Sequence, residues 1–314
     1  MRKKTFIIIS GNVLLSKKDV KSFMKIGIDA SQRWFDGDLE KMFSTLHDVG
    51  YSAIDDLGVK TSTDAEEKEY CKKYVSLANK YGIEIAQTHA PFLINRPESE
   101  FLSDEYINSV RESIYRTQRL GSKYLVVHPY CPQGLDFFVN ARTYDYGKLI
   151  DHNKEVNLQF FDKFIPALKE TGVMICIENL FAYDILLQRH VKGVCGDADE
   201  TNFYIDRLGE EYFGACYDSG HLNHFAGDET EYIEKLGKRL KVVHLNDSFG
   251  KEFYGMDWHL MPGQGDVSWD KIAIALKKIG YKGVANFEIC PRKGIFFMPQ
   301  LRYIYEMGNL IFNN

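Results

Sequence analysis

The sequence predicts a single (β/α)8 barrel, and three observations support this prediction. Short apolar runs alternate with longer amphipathic runs from Met24 onward, in eight units of about 30 residues, as in barrels of roughly 250 residues. No Gly-x-Gly-x-x-Gly follows a strand, which disfavours the alternative of an open doubly wound sheet. Several amphipathic runs stop at a glycine shortly before the next apolar run, as helices commonly do. These glycines are Gly50, Gly82, Gly121, Gly172, Gly237 and Gly280.

The apolar runs are predicted to be strands because they are short and bounded by turn residues. In chain order they are Lys25–Asp29, Tyr51–Asp55, Ile83–Thr88, Tyr124–His128, Val173–Asn179, Phe213–Asp218, Leu240–Leu245 and Val284–Ile289. The amphipathic runs are predicted to be helices because their apolar residues recur at helical spacing. In chain order they are Leu39–Val49, Asp64–Tyr81, Asp104–Leu120, Asn153–Thr171, Asp199–Leu208, Glu229–Leu236, Trp269–Ile279 and Met298–Ile311.

Residues 1–23 are predicted to be an extension ahead of the barrel domain, which takes residues 24–314. The extension begins like a signal peptide, but Ser10 interrupts its apolar run and no small-residue cleavage site follows. No apolar run approaches the ~20 residues that cross a bilayer, so we expect no membrane association. The longest insertion, residues 129–152 after strand four, is rich in Tyr and Phe. It is either a lid or a subunit contact, and the second reading would make the protein a homo-oligomer.

The composition indicates which binding partners and which cellular compartment to expect. The chain has 314 residues and a formal net charge of -5, which gives no support for a nucleic-acid partner. Its six cysteines form no Cys-x-x-Cys pair, and three of them lie in apparent strands. This usage is typical of a reducing compartment, so we expect a cytoplasmic protein without disulfide bonds.

Polar residues collect where the predicted strands end. In barrels of this type the catalytic residues come from the C-terminal ends of the strands and the loops that follow. Six of the nine histidines fall there: His89, His128, His221, His224, His244 and His259. A single histidine at a strand end is more often structural than functional. Several histidines together with Glu and Asp on one rim instead predict a metal site.

Four of these residues form a plausible set of metal ligands: Glu178, Asp218, His244 and Glu288. Three carboxylates and one imidazole suit Mn²⁺, Co²⁺, Mg²⁺ or Zn²⁺ and leave coordination positions for substrate oxygens. The alternative for Glu178 is a salt bridge within the barrel. Because Glu178 follows the apolar run Met-Ile-Cys-Ile, an unpaired carboxylate would be costly to bury there, which favours a ligand role.

The segment after strand seven carries the most specific pattern in the chain. It reads His244-Leu-Asn-Asp-Ser, then Asp257-Trp-His259, then Pro262-Gly-Gln-Gly265 and Trp269. Together with Ile177-Glu178-Asn179, Asp218-Ser-Gly-His221 and Phe287-Glu288, this segment resembles the xylose-isomerase-like TIM barrels. That superfamily includes sugar isomerases and epimerases and the endonuclease IV group. The resemblance covers most of the chain from Met24 onward.

The resemblance implies a divalent-metal-dependent isomerase or epimerase that acts on a small carbohydrate, a keto sugar or a related polyhydroxy carbonyl compound. It implies that Glu178, Asp218, His244 and Glu288 hold the metal, with Mn²⁺ the first expectation. The two glutamates would then be catalytic and move a proton on the carbon beside the carbonyl. His221 would contact a substrate oxygen. Ketose 3-epimerases carry an arginine a few residues after the strand-seven histidine, where this chain has Ser248-Phe-Gly-Lys251, so Lys251 is the candidate substitute.

The same resemblance leaves other assignments open. Endonuclease IV-like enzymes bind three zinc ions at these strand ends and cleave abasic DNA. The residues that could match those positions are His89, His128, Glu178, Asp218, His221, His244, Asp257, His259 and Glu288. The strand-end loops contain no basic segment for DNA phosphates, so we do not expect this activity. A lyase or dehydratase acting on a keto sugar or cyclitol, or a protein that has lost activity, are further alternatives.

The remaining candidates surround the predicted metal site. His89, His128, His221, Asp257 and His259 could bind substrate or a second metal. Aromatic residues in the strand-end loops could stack on a sugar ring and exclude water, although ordinary loop packing is the alternative. They are Trp34, Phe92, Phe181 and Trp258.

Overall fold

The structure of this chain is a computed structural model. It describes residues 24–314 except 59–62, 95, 133–145, 185 and 251–256, together with the backbone of two short strands ahead of Met24. These strands, β1 (Phe6–Ile9) and β2 (Val13–Ser16), pair with each other in antiparallel orientation. The division into an extension and a barrel domain stays a prediction.

Eight parallel strands form the barrel, which confirms the predicted fold class. They are β3 (Ile26–Ala30), β4 (Ala53–Asp56), β5 (Glu84–His89), β6 (Tyr124–Val127), β7 (Met174–Glu178), β10 (Phe213–Asp218), β11 (Leu240–His244) and β12 (Ala285–Phe287). The strand order is β11-β10-β7-β6-β5-β4-β3-β12. Just beyond β11, Leu245 N–H donates to Asn286 O (2.8 Å) and Glu288 N–H donates to Leu245 O (3.0 Å). These two bonds join β11 to β12 and close the barrel.

All eight predicted helices are present, one of them divided in two, together with two short helices that were not predicted, Glu98–Phe101 and Ser219–His224. They are α1 (Leu39–Val49), α2 (Asp64–Tyr81), α3 (Glu98–Phe101), α4 (Asp104–Arg119), α5 (Tyr146–Asp162), α6 (Ile165–Thr171), α7 (Ala198–Leu208), α8 (Ser219–His224), α9 (Glu229–Leu236), α10 (Trp269–Lys278) and α11 (Phe297–Phe312). The single helix predicted over 153–171 is two helices, α5 and α6. Pro166 lies in the first turn of α6, where its missing N–H costs no hydrogen bond.

A short hairpin between β7 and β10 was not predicted. Its strands β8 (Phe181–Asp184) and β9 (Arg189–Lys192) pair in antiparallel orientation outside the barrel sheet. None of the described helices is long and apolar enough to cross a membrane. All six cysteines are free thiols.

Side chains alternate between the two faces of each barrel strand. On β7, Ile175 and Ile177 belong to the large core under the helices, whereas Cys176 points into the barrel. Val126, Cys176, Cys216 and Val242 form a separate apolar cluster in the barrel interior. Each lies two residues before a polar residue at a strand end, so the polar residues share the inward face, one layer nearer the C-terminal ends.

The last helix, α11, lies unusually close to the barrel. A Cβ on Gly308 would come within 2.7 Å of Phe287 Cε2 and 3.0 Å of Ile26 Cγ2. Because real Cβ contacts essentially never fall below 3.0 Å, this contact requires a glycine. Gly308 therefore determines how closely α11 packs against the first and last strands of the barrel.

Candidate metal centre

The four predicted metal ligands come together at the C-terminal end of the barrel. Glu178 and Asp218 end β7 and β10, His244 ends β11, and Glu288 follows β12. One ligand atom from each lies within 4.8 Å of the others. Glu178, Asp218 and His244 are fully buried, and the Glu288 side chain is 17% exposed. These residues converge because each occupies an inward-facing position at the same end of neighbouring parallel strands.

The carboxylate oxygens of this group are placed to bind a cation and are not fully hydrogen-bonded within the protein. Glu178 Oε2 and Glu288 Oε2 are buried and accept no hydrogen bond from the described residues. Imidazole nitrogens are nevertheless close, with His128 Nε2 3.1 Å from Glu178 Oε2 and His244 Nδ1 3.0 Å from Glu288 Oε2. Buried carboxylate oxygens normally have partners, and these have neighbours without hydrogen-bond geometry. Such an arrangement is expected where several donors point at one ion.

The pKa values of the carboxylates differ with their surroundings. Burial raises the pKa of Glu178, but the imidazoles of His244 and His128 outweigh burial and hold it well below its usual range. Burial is likewise outweighed at Glu288, whose pKa is lowered to about 2 by His244 and His259. Burial prevails at Asp218 and raises its pKa to about 7, against the lowering effect of His221. Glu178 and Glu288 are therefore ionised at neutral pH.

Three of the site histidines have the same orientation. Nδ1 lies 2.6 Å from Ala90 O in His89, 2.8 Å from Asn179 O in His221 and 2.8 Å from Glu288 O in His259. A carbonyl oxygen only accepts hydrogen bonds, so Nδ1 is the donor in each ring. In His221 and His259 Nε2 also bonds a carboxylate oxygen, Asp257 Oδ2, so these two rings carry hydrogen on both nitrogens. A cation at Nε2 would take the place of that hydrogen. The backbone thereby fixes the orientation of these three rings.

A second group of donors lies beside the first. His221 Nε2 and His259 Nε2 are 3.2 Å and 2.7 Å from Asp257 Oδ2, and one ligand atom from each of the three residues falls within 4.8 Å of the others. A third group, His89, Glu178 and His244, overlaps the first. Glu178 and His244 belong to both the first and the third group, whereas the second group shares no residue with either.

Two further histidines extend this cluster beneath Asp257. His224 Nε2 is 3.5 Å from Asp257 Oδ1, and the His224 ring is fully buried. His190, on the hairpin strand β9, packs against His224 with ring centroids 4.3 Å apart. Phe181 covers both His221 and His224. His190 was not among the predicted site residues, because the hairpin that carries it was not predicted.

Asp247 holds the loop that carries Asp257 and His259. Its Oδ1 accepts from Val267 N (3.1 Å), and its Oδ2 accepts from Gly263 N (2.7 Å) and Trp269 Nε1 (3.3 Å). Its backbone also exchanges two 2.8 Å hydrogen bonds with Leu260. One buried carboxylate thus ties the strand-seven motif to the Pro-Gly-x-Gly turn, which explains why these motifs occur together.

The turn itself requires glycine. Gly263 has φ +85°, in the left-handed region, and a Cβ on Gly265 would overlap the carbonyl oxygen of Ser248. With two glycines the chain packs closely against Ser248 and returns to the barrel. This close packing fixes the position of His259, which itself adopts a positive φ of 40°.

A cleft of about 1,370 Å³ opens beside the first ligand group. Its lining includes His89 and Glu288 and the predicted aromatic residues Trp34 and Phe92. Phe92 stacks on His128 at 4.6 Å and remains 47% exposed, so one ring face is free to meet a ligand. Trp258 instead contacts Phe249. Lys251 lies outside the described residues, as does most of the 129–152 insertion.

The chain resembles known proteins over most of its length. A family profile described as a xylose isomerase-like TIM barrel matches residues 25–306. An uncharacterised protein of Methanocaldococcus jannaschii is 28% identical over 224 residues, which cover 69% of this chain and 68% of that protein. A protein of Mycoplasmoides gallisepticum named "Probable endonuclease 4" is 29% identical over 220 residues, which cover 64% of this chain and 60% of that protein.

Two solved structures resemble the whole barrel. One is a D-tagatose 3-epimerase-like protein, with a TM-score of 0.68 at 23% identity, covering 92% of this chain and 98% of the other. The other is a 3-keto-D-glucoside 4-epimerase from E. coli, with a TM-score of 0.68 at 14% identity, covering 91% of this chain and 99% of the other. At these identities the likeness establishes the shared fold.

Proposed function

This chain belongs to the xylose isomerase-like TIM-barrel family, and from that premise we propose that it is a divalent-metal-dependent isomerase or epimerase acting on a keto sugar or a related polyhydroxy carbonyl compound. The observation that carries the proposal is the convergence of Glu178, Asp218, His244 and Glu288, one ligand atom each within 4.8 Å. The sugar epimerases among the similar structures support the reaction class.

The two glutamates are the proposed catalytic residues. A divalent cation held by the four ligands, Mn²⁺ first among Mn²⁺, Co²⁺, Mg²⁺ and Zn²⁺, would make the C–H beside a coordinated carbonyl more acidic. Glu178 and Glu288 extend from strands that are separated by β10 and β11, and both are ionised at neutral pH. One glutamate takes the proton from that carbon. The other glutamate first takes up a proton from solvent and then delivers it to the opposite face in an epimerisation, or to the neighbouring carbon in an isomerisation.

The surroundings of the site suit a small polyhydroxy substrate. His89 and His221 direct Nε2 toward the carboxylates and can bond sugar hydroxyl oxygens. Phe92 and Trp34 line the cleft next to Glu288 and offer apolar surface to a sugar ring. The identity of the sugar is not encoded in the ligand set, because one scaffold and one metal shell serve many reactions.

The experiment that tests the proposal combines metal analysis with a substitution. Protein purified without added metal would be analysed by mass spectrometry and assayed on a panel of ketoses and keto sugars. We expect about one divalent ion per chain and a turnover that EDTA abolishes. Glu288→Gln should lower kcat by about 10²–10⁴-fold, because one proton-transfer group is lost.

Glu84→Gln is the matched control for this experiment. Glu84 begins β5, at the opposite end of the barrel, and pairs with Lys25 on the surface. Its substitution should leave kcat unchanged. Wild-type turnover in Glu288→Gln would contradict the catalytic assignment. A protein that neither contains nor takes up a divalent metal would contradict the metal centre as well.

A second candidate function is a zinc phosphodiesterase of the endonuclease IV type. The observation in its favour is the additional donor group formed by His221, Asp257 and His259, which could hold a further cation. Against it, two arginines lining the cleft are already ion-paired, Arg116 with Asp56 and Arg119 with Asp64. Two or three zinc ions per chain and cleavage of abasic DNA would favour this candidate. A lyase or dehydratase on the same substrate class would appear in the carbonyl panel as loss of water.

A further inference from the structure

The His244 ring is oriented opposite to the other site histidines. Its Nδ1 faces the ligand group, 3.1 Å from Glu178 Oε1 and 3.0 Å from Glu288 Oε2. Its Nε2 points away from that group, into the barrel, and lies 3.1 Å from Asp55 Oδ2. No backbone carbonyl of the described residues bonds this ring. Asp55 therefore takes the place that a backbone carbonyl has at His89, His221 and His259.

A neighbouring amide defines the role of the Asp55 oxygen. Gln87 Nε2 donates to the same Oδ2 at 2.8 Å. An oxygen that accepts from Gln87 is an acceptor toward His244 as well, so His244 Nε2 carries the hydrogen. Nδ1, the nitrogen that faces the ligand group, bonds Glu178 Oε1 at 3.1 Å. A cation would replace the hydrogen on Nδ1, and Asp55 would keep the remaining hydrogen on Nε2.

The burial of Asp55 indicates a purpose other than stability. The residue is fully buried, and its Oδ1 accepts no hydrogen bond from the described residues. A buried carboxylate with one unsatisfied oxygen opposes folding. Gln87 is also buried and fixes the carboxylate at the depth where it meets His244. The cost to folding is explained if this arrangement serves the site above it.

We propose that Asp55 is a positioning residue that sets the tautomer and the orientation of His244 for metal binding. It completes a carboxylate–imidazole–cation relay in which the carboxylate strengthens the imidazole as a ligand. This inference rests on the metal centre of the proposed function. It adds a residue that contacts neither the ligand group's carboxylates nor the cleft lining.

The adjacent residue provides a matched control. Asp56 occupies the opposite face of β4, where its Oδ2 accepts from Arg116 Nη2 at 2.8 Å. Both aspartates are buried, are one residue apart and carry the same side chain. Only Asp55 faces the barrel interior. A substitution that merely disturbs β4 should therefore act alike at both positions.

The experiment compares Asp55→Asn with Asp56→Asn in protein stripped of metal. Titration calorimetry with Mn²⁺ should show a Kd raised about 10–100-fold in Asp55→Asn and unchanged in Asp56→Asn. The visible absorption of the Co²⁺-loaded protein should change in Asp55→Asn, because the imidazole ligand is reoriented, and should match wild type in Asp56→Asn. The melting temperature of the metal-free protein should fall in Asp56→Asn, which loses an ion pair. If Asp55→Asn does not fold, Gln87→Met should raise the Kd in the same direction.

The outcomes separate the inference from its premise. A wild-type Kd and a wild-type Co²⁺ spectrum in Asp55→Asn would overturn the positioning role and leave the metal centre standing. Equal losses of affinity in both variants would show a general structural effect and also overturn it. Failure of the wild-type protein to bind Mn²⁺ or Co²⁺ would overturn the metal centre, and the inference with it.

Discussion

His190 is a buried imidazole that shares no ligand group with the metal site, and it makes the fold sensitive to acid. Its exposed fraction is 2%. Burial, together with the neighbouring imidazole of His224, lowers the pKa of His190 to about 4. In the unfolded chain a histidine has a pKa of about 6.5. Between these values the unfolded chain binds a proton that the folded chain does not bind, so stability falls as the pH falls from about 6.5 toward 4.

We expect His190→Gln to remove part of this acid sensitivity. Wild-type protein should lose about 2 kcal/mol of unfolding free energy through His190 between pH 6.5 and pH 4.5, and the variant should not lose that share. Urea unfolding at the two pH values measures the difference. His152→Gln is the control, since the His152 side chain is 54% exposed. Equal losses in wild type and His190→Gln would contradict this account.

At the residue scale, the sequence predicted which side chains converge at the rim of the barrel, but not which residues lie beneath them. Glu178, Asp218, His244 and Glu288 could be found because strand ends in a barrel share one rim. Asp55 was the last residue of a predicted strand, but Asp55 and Asp56 are adjacent and equally polar. A shift of one residue exchanges the two faces of a strand, so the sequence could not show which aspartate points inward. The catalytic and ligand roles themselves stay predictions.

At the scale of elements, the packing of α11 against the barrel depends on one glycine, Gly308. We expect Gly308→Ala to destabilise the protein even though alanine favours helices by about 1 kcal/mol over glycine. The added Cβ would meet Phe287 and Ile26, and overpacking of this kind costs about 1–3 kcal/mol. Gly308→Val should be worse still. Urea unfolding measures both changes.

Glu306→Ala is the matched control on the same helix. Glu306 is exposed, so its substitution should change stability by no more than about 0.5 kcal/mol. If Gly308→Ala were as stable as wild type, the close approach of α11 to Phe287 would not limit the packing there.

Elements were predicted well where the pattern was long and less well where it was short. Seven predicted helices agree with the structure within one residue at each end. The helix predicted over 153–171 breaks near Pro166, because an apolar spacing can continue across a break in hydrogen bonding. The hairpin β8–β9 was missed, since two four-residue strands give too little periodicity to separate them from a loop.

At the scale of the whole molecule, the metal-free protein keeps several buried ionisable groups close together. A cation that binds the folded chain and not the unfolded chain raises stability, by about 2.7 kcal/mol at 100 times the Kd. We expect Mn²⁺ to raise the melting temperature of stripped protein by about 5 °C, and EDTA to reverse the rise. Glu178→Gln should lose most of the shift, because Glu178 belongs to two of the three donor groups. A melting temperature that does not respond to Mn²⁺, Co²⁺ or Zn²⁺ would contradict this expectation.

The fold of the whole molecule could be predicted because eight repeated units leave few topologies that bury every strand. Its substrate could not be predicted, since substrate contacts come from loops of irregular sequence. Part of the 129–152 insertion and Lys251 lie outside the described residues, so their predicted roles remain open. The likeness to epimerase structures at 23% and 14% identity establishes the fold alone.

The way the barrel closes affects how easily β11 and β12 separate in local opening motions. β11 and β12 meet through two backbone hydrogen bonds at Leu245, and the ligands His244 and Glu288 stand on either side of this seam. An ion bound by both side chains would link β11 to β12 at the point where only two backbone hydrogen bonds join them. Thermodynamic coupling is reciprocal, so a substitution that weakens the pairing of β11 with β12 should also lower the affinity for the ion. Metal binding should therefore favour the closed barrel. Hydrogen exchange at the Leu245 and Glu288 amides, which donate the two joining hydrogen bonds, should slow when the ion binds.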